Sequence, residues 1–286
     1  MEKAVDMQAD NMKYSVLMSV YAGDKAEYID QAINSMFNQT VPPEQFVVVK
    51  DGTVKAEISK LLDKYIQCCG AVFTIVSLEK NGGLANALNI GMQKCRNNLV
   101  ARMDADDISL PERCEKELEL FRVHPDLVVC GCNIGEFIDD PTELRTSRIV
   151  PSTYEGIVKF SRRRQAFNHP TVMFKRDFVE EMGGYSRLRR KEDFDLFSRI
   201  ISSGKLVLNI DERLYLYRVG EENYRRRKSC QNFSSAVNVY IKHWKRGGCS
   251  FIDFLLIVSA ELFFMLAPIK IMKYFSDRFL RVNTEN

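Results

Sequence analysis

Asp104, Asp106 and Asp107 crowd three carboxylates into four positions of the stretch Arg102-Met103-Asp104-Ala105-Asp106-Asp107-Ile108-Ser109. Like charges this close raise the pKa of one of their number unless a cation intervenes, and a hard divalent ion with oxygen ligands is the simplest remedy. An Asx turn followed by a helix N-cap uses the same residue types, so the spacing alone leaves both readings open. A second acidic pair, Glu192-Asp193, falls in the first turn of a helix whose apolar stripe is Phe194, Phe197, Ile200 and Ile201. Carboxylates there can accept a proton from a substrate or merely complement the helix dipole. Asp51-Gly52 ends a β-branched run, and Asn81-Gly82-Gly83 is a glycine turn leading into a helix, a place that holds anions but also serves as an ordinary β-to-α turn.

The elements that must position these residues follow from hydrophobic spacing. Strands are expected over 14–20, 46–50, 72–76, 99–103 and 127–134, the last two flanking the acidic triplet and its following helix over 111–121. Ser109 and Glu112 stand at capping-box spacing, which predicts that Ser109 caps that helix. Between the strands, Tyr28, Ile29, Ala32, Ile33, Met36 and Phe37 recur at helical spacing, as do Ile58, Leu61, Leu62 and Tyr65. Alternating strand and helix implies parallel strands with right-handed crossovers in a three-layer α/β unit. Asp51, Asp104 and Asp106 are then expected at one edge of the sheet, the carboxyl ends of the strands, where open α/β sheets bind ligands. After Ile149 the alternation breaks down: a helix over 154–160, a turn and strand over 168–174, a tight turn at Gly183-Gly184-Tyr185, strands over 205–210 and 214–217, and a basic loop over 218–228.

With 286 residues, 45% of them hydrophobic and 28% charged, the chain has material for one large domain or a domain with an appendage. A formal charge of +3 gives no general pull toward nucleic acid, although the runs at 162–164, 187–191 and 225–228 are locally basic. Such runs are solvated faces or seats for a nucleotide diphosphate or an anionic membrane. The eight cysteines form no C-x-x-C pair and have no histidine at metal-ligand spacing, so they read as free thiols. No apolar signal-peptide core stands near the start, and the chain is expected to remain in the cytoplasm. The expected organisation is a leader at 1–13, one domain at 14–228 and a helical segment at 229–286. The stretch 251–271 is apolar but broken by Asp253, Glu261 and Pro268, too short of a clean window of ~20 residues for a spanning helix. Lys242, Lys245, Arg246, Lys270, Lys273, Arg278 and Arg281 flank it, as in an interfacial membrane anchor; a helical hairpin packed on the domain or on a second copy, as in a homodimer, is the other reading.

Taken together, Leu17-Met18-Ser19-Val20-Tyr21, Phe37-Asn38-Gln39-Thr40, Val49-Lys50-Asp51-Gly52, 81–88, 101–111, 168–174, Gly183-Gly184-Tyr185, Glu192-Asp193-Phe194-Asp195-Leu196 and Tyr217-Arg218-Val219-Gly220 resemble, in order, the inverting glycosyltransferases of family 2 with the GT-A fold. The nearest resemblance is to the bacterial branch of amylovoran and capsular-polysaccharide enzymes. The resemblance implies a GT-A three-layer α/β/α mixed sheet with a C-terminal helical appendage. It also implies transfer of a single sugar from a UDP-sugar donor to a hydroxyl of a lipid-linked acceptor at the inner face of the cytoplasmic membrane. Donor contacts then fall on Ser19, Val20, Tyr21, Asp51, Asn81, Gly82, Asn86, Arg102, Asp104, His169, Arg225 and Arg226. Asp106, with Asp104, is the implied ligand of Mn²⁺ or Mg²⁺, and Asp193, beside Glu192, the implied general base. Lys50 stands where many members carry a second Asp, and the Q-x-x-R-W signature of processive synthases is missing. Two other readings of the acidic α/β pattern are a sugar-nucleotide nucleotidyltransferase, whose Gly-rich, Arg-containing first loop is replaced here by Tyr21-Ala22-Gly23-Asp24, and a non-catalytic scaffold on the same fold.

Overall fold

A computed structural model describes residues 12–188, 190–220, 229–268, 270–272 and 281–283. The leader at 1–11 and the basic loop at 221–228, with Arg225 and Arg226, lie outside the described residues, as do Lys273 and Arg278.

Four parallel strands form the first half of one ten-stranded sheet: β1 (Tyr14–Val20) lies between β2 (Gln45–Lys50) and β4 (Leu99–Met103), with β3 (Phe73–Ser77) beyond β2. The crossovers are α1 (Ala26–Phe37), α2 (Ala56–Cys69) and α3 (Leu84–Met92). Because β1, β2 and β4 run the same way and are adjacent, their carboxyl ends, with Tyr21, Asp51 and Asp104 just beyond, share one edge. Two apolar clusters fill the two faces. One buries Ile29, Ile33, Met36, Ile58 and Leu62 of α1 and α2 against β1 and β2; the other buries Ala87, Leu88 and Met92 of α3 against Leu17 and Val49.

The second half is mixed. β5 (Ile108–Ser109) precedes α4 (Arg113–Val123), and β6 (Leu127–Phe137) pairs with β7 (Thr146–Arg148) and β8 (Met173–Lys175) antiparallel, while β8 closes on β4. α5 (Tyr154–Ser161), α6 (Arg176–Glu181) and α7 (Glu192–Ser202) precede β9 (Leu206–Arg218), which lies parallel to β6 and hydrogen-bonds β5. β9 unites the two strands expected over 205–210 and 214–217; the polar Asp211-Glu212-Arg213 between them is carried through by irregular register against Cys132–Ile134.

The expected Ser109 cap is not formed. Ile108 and Ser109 pair with Leu216 and Tyr215 instead, the Ser109 hydroxyl accepts from Gln39 Nε2 at 3.1 Å, and α4 starts at Arg113 behind an uncapped Glu112. A long-range strand partner outcompeted a local side-chain cap.

The C-terminal part is a hairpin of α8 (Cys230–Lys245) and α9 (Phe251–Leu266), joined through a capping box at Ser250 and Asp253. It is not wholly helical: β10 (Val282–Asn283) returns to pair with β7, and Arg281 Nε meets Glu136 at 2.6 Å. Among the described residues no helix is long and apolar enough to cross a membrane, and all eight cysteines are unbridged.

Candidate active site

The acidic triplet leaves β4 as a turn fixed from several sides. Asp104 Oδ1 accepts from Arg102 Nη2 at 2.5 Å, and its backbone N–H donates to Tyr215 Oη at 3.2 Å. Buried Asp107 accepts from the Arg218 backbone N–H at 2.7 Å; burial and the charges of Asp106 and Asp104 hold its carboxyl well above the usual range. Asp106 is exposed, yet desolvation by the surrounding protein, followed by the charge of Asp104, pushes it up to about 6. Arg218 clamps the turn: its Nε donates to the Asp106 carbonyl at 2.9 Å and its Nη2 to Gln31 Oε1 at 2.8 Å. The guanidinium stacks on the rings of Tyr28 and Phe137 at 3.9 and 4.5 Å from their centroids.

Alongside, β1 delivers part-buried Ser19, buried Val20 and exposed Tyr21, whose N–H donates to Asp24 Oδ2 at 2.8 Å. Asp51 does something its residue type did not announce. Its two carboxylate oxygens accept from the Gly82 and Gly83 N–H groups at 2.7 and 3.0 Å, so it anchors the glycine turn as well as standing at the sheet edge. Asn81 Nδ2 closes the same loop on the Asp51 carbonyl at 3.3 Å. Gly52 has φ of 83°, and a Cβ there would sit 2.7 Å from the Asn81 nitrogen, so only glycine lets the loops meet. Half-buried Asn86 lies under Gly82 one turn into α3.

The third side is the Gly183-Gly184-Tyr185 turn with the start of α7. Asn89 of α3 grips Tyr185 by both backbone groups, donating to its carbonyl and accepting from its N–H at 2.8 Å each. A Cβ on Gly184, φ 64°, would press within 2.6 Å of Asn89 Oδ1. Tyr185 Oη lies 2.9 Å from His169 Nε2, so His169 buttresses the tyrosine; burial and the charge of Arg102 hold its imidazole well below the usual value. Burial pushes the Glu192 carboxyl up to about 7, helped by the charge of Asp193 and opposed by Arg190 and Arg102. Tyr185 feels Arg102, Asp193, Glu192 and Asp104 together. The charge of buried Arg102 thus reaches Asp104, Asp106, His169 and Glu192, and Asp193 in turn acts on Glu192 and Tyr185. Ser19, Val20, Tyr21, Asp51, Asn81, Gly82 and Asn86 form the adjoining shelf.

The sequence from residue 15 to residue 183 matches the family model described as Glycosyl transferase family 2. The chain is a family 2 glycosyltransferase. It is 34% identical over 265 residues to the amylovoran biosynthesis glycosyltransferase AmsE of Erwinia amylovora, covering 93% of this chain and 98% of that one. It is 30% identical over 275 residues to the UDP-Gal:alpha-D-GlcNAc-diphosphoundecaprenol beta-1,3-galactosyltransferase of Escherichia coli, covering 96% and 99%. The fold is GT-A: the mannosyltransferase PcManGT of Pyrobaculum calidifontis, solved with GDP-Man and Mn²⁺, superposes with a TM-score of 0.64 at 17% identity over 91% of this chain and 72% of that one. The nucleotidyltransferase alternative falls away with the family assignment.

In this glycosyltransferase the candidate metal ligands can be tested against their own chemistry. Among the described residues no three Asp, Glu, His or Cys side chains cluster to enclose an ion. Two carboxylates, one with its pKa raised beside the other, nevertheless fit Mg²⁺ or Mn²⁺, which binds through one or two carboxylates and completes its shell with phosphate oxygens and water. Several residues that hold the candidate site's turns are not singled out as site residues by the sequence. Asn89, Tyr215 and Arg218 act across 96 to 112 residues, and neither periodicity nor spacing announces such partners. The Gly-Gly-Tyr and Tyr-Arg-Val-Gly motifs were their only signal.

Proposed function

We propose that this glycosyltransferase moves one sugar from a UDP-sugar to a hydroxyl of a lipid-linked saccharide, inverting the anomeric centre, in the assembly of a bacterial surface polysaccharide. The observation that carries the reading is the turn after β4, where buried Arg102 holds Asp104 at 2.5 Å beside Asp106 and its charge also reaches Glu192. The relatives support it: one is named for amylovoran biosynthesis, another for transfer of galactose from UDP-Gal to a GlcNAc-diphospholipid.

Asp106, seconded by Asp104, holds Mn²⁺ or Mg²⁺; when bound, the ion supplies Lewis-acid neutralisation of charge on the departing diphosphate. Arg102 fixes Asp104 and still has Nε and Nη1 without partners among the described residues. Ser19 to Tyr21 and the Asp51 loop cradle the nucleoside. Asp193 takes the acceptor hydroxyl's proton as its oxygen attacks the anomeric carbon from the face opposite the leaving group, and one displacement inverts. Glu192, whose carboxyl burial pushes up to about 7, stands beside Asp193 in the first turn of α7.

The catalytic unit in this reading is 14–228, and 229–286 is its membrane-facing part. α9 has reversed polarity: Phe251, Ile252, Leu255, Leu256, Leu262, Phe263 and Leu266 are exposed, while Asp253 and Glu261 turn inward to Arg163 and Lys191. Exposed Trp244, Lys242 and Lys245 at the end of α8 suit an anionic lipid surface. Leu255→Glu with Leu256→Glu is expected to abolish co-sedimentation with phosphatidylglycerol vesicles; a dimer that breaks up instead assigns the face to a second copy.

The deciding experiment is a donor panel. With Mn²⁺ and UDP-galactose, UDP-glucose or their N-acetyl forms, one donor is expected to release UDP by slow hydrolysis. Release from none of them, with release from a GDP-sugar, overturns the UDP assignment.

A further inference from the structure

Among the described residues Lys191 is the one non-glycine with positive φ, at 63°. L side chains rarely adopt this region, and it persists where surrounding contacts over-determine it. Lys191 occupies the N-cap position of α7, immediately before Glu192 and Asp193, and no side-chain cap bond forms there. The start of this helix is therefore not oriented by the usual local device. What holds it comes from the hairpin. Lys191 Nζ donates to Glu261 Oε1 on α9 at 2.6 Å, with the two side chains only 26% and 16% exposed, and Glu261 Oε2 accepts from Asn232 Nδ2 of α8 at 3.4 Å.

The same hairpin grips α7 at two further points. Phe194 packs on the Tyr240 ring at 4.6 Å between centroids and edge-on to His243 at 5.4 Å. Arg246 Nη2 donates to Ser198 Oγ at 3.0 Å and lies 3.5 Å from Asp195 Oδ1. Phe194, Asp195 and Ser198 fix the body of the helix; Lys191 is the grip on its first turn. A mostly buried ion pair gains little net stability, because desolvating its charges offsets their attraction, but it is strict about geometry.

We propose that Lys191 and Glu261 are positioning residues for the transfer reaction. Their ion pair holds the left-handed residue ahead of Glu192–Asp193 and so aims the proton acceptor, which makes the seat of the C-terminal hairpin part of the active site's geometry. The proposal rests on the reading of Asp193 as the base. A hairpin displaced from α7 turns the enzyme down without touching the donor shelf.

The test uses the full chain with Glu261→Gln, Lys191→Met, Lys191→Gly and the exchanged pair Lys191→Glu with Glu261→Lys. UDP release from the four UDP-sugars with Mn²⁺ is measured beside amide hydrogen exchange of residues 192–196. Each single variant is expected to lower kcat about tenfold with donor KM within about twofold, and to quicken exchange in that turn about tenfold, while the melting midpoint falls by no more than about a few degrees. Lys191→Gly loses turnover like Lys191→Met although its backbone is relaxed. The exchanged pair restores kcat to within about threefold. Unchanged kcat and exchange in Glu261→Gln overturn the proposal, and so does a loss of kcat, KM and melting midpoint together, which marks a merely structural pair. Asp193→Asn separates the two readings. If it leaves turnover intact, the base assignment fails, and the exchange data alone then decide whether the pair orients the turn.

Discussion

The turn carrying Asp104 and Asp106 grows out of β4, whose five residues are all buried, and it is closed from behind by Tyr215, Arg218 and the β5–β9 pairing. The turn carrying Glu192 and Asp193 begins a helix after a left-handed lysine and is held by side chains from the C-terminal hairpin. One acidic turn is thus locked by strand pairing and by side chains of the sheet that reach its backbone, the other by side-chain contacts with an element that begins at Cys230, beyond the last long strand. Backbone ladders resist displacement because breaking one strands buried polar groups; a side-chain tether can yield one bond at a time. On the proposed roles, the difference makes the donor and metal side fixed and the side that would meet the acceptor adjustable.

Deleting the acceptor-side base should give the largest effect. Asp193→Asn is expected to lower turnover by about 10² or more while leaving UDP affinity in place, the usual scale for a positioned base. Loosening the sheet-held turn comes next. Arg218→Lys keeps the charge but loses the planar fork that meets Asp106 and Gln31 between two rings, and is expected to weaken Mn²⁺ activation about tenfold. An unchanged Mn²⁺ dependence would mean that the turn holds its shape without the clamp.

A smaller effect tests the foundation of the locked turn. Fully buried Arg113 donates to the Arg102 carbonyl at 3.1 Å and faces Glu117, whose carboxyl burial pushes up to about 8 against the pull of Arg113. Because the folded-state value lies above the ordinary 4.5, this group's contribution to stability is full below about pH 4.5 and is lost as pH rises through 8. Glu117→Gln should flatten the fall of the melting midpoint between pH 5 and 8.5 by a few degrees, and parallel curves for the two proteins would remove Glu117 from the account.

The same contrast governs what could be read from the sequence. The parallel edge with Asp51, Asp104 and Asp106 was legible because buried strands and one-sided helices write their periods into the chain. Ser109 and Glu112 spelled a capping box, but the pairing of Ile108 with Leu216 took the backbone first, and only the tertiary fold supplies that partner. Asp51 looked like a nucleoside contact and also proves to anchor the Gly82–Gly83 turn, since a carboxylate suits either donor. Tethers such as Lys191 to Glu261 join residues 70 apart, each of a type that usually lies in solvent, so nothing local distinguishes them.

The central claim is that carboxylates distant along the chain meet around one divalent ion and one nucleotide diphosphate. Calorimetric titration of UDP into the wild-type chain and Asp106→Ala, each with Mn²⁺ and with EDTA, tests it most directly. The wild type is expected to bind at least about tenfold more tightly with Mn²⁺, and Asp106→Ala to be indifferent to the metal. Equal affinities in all four titrations would contradict the account.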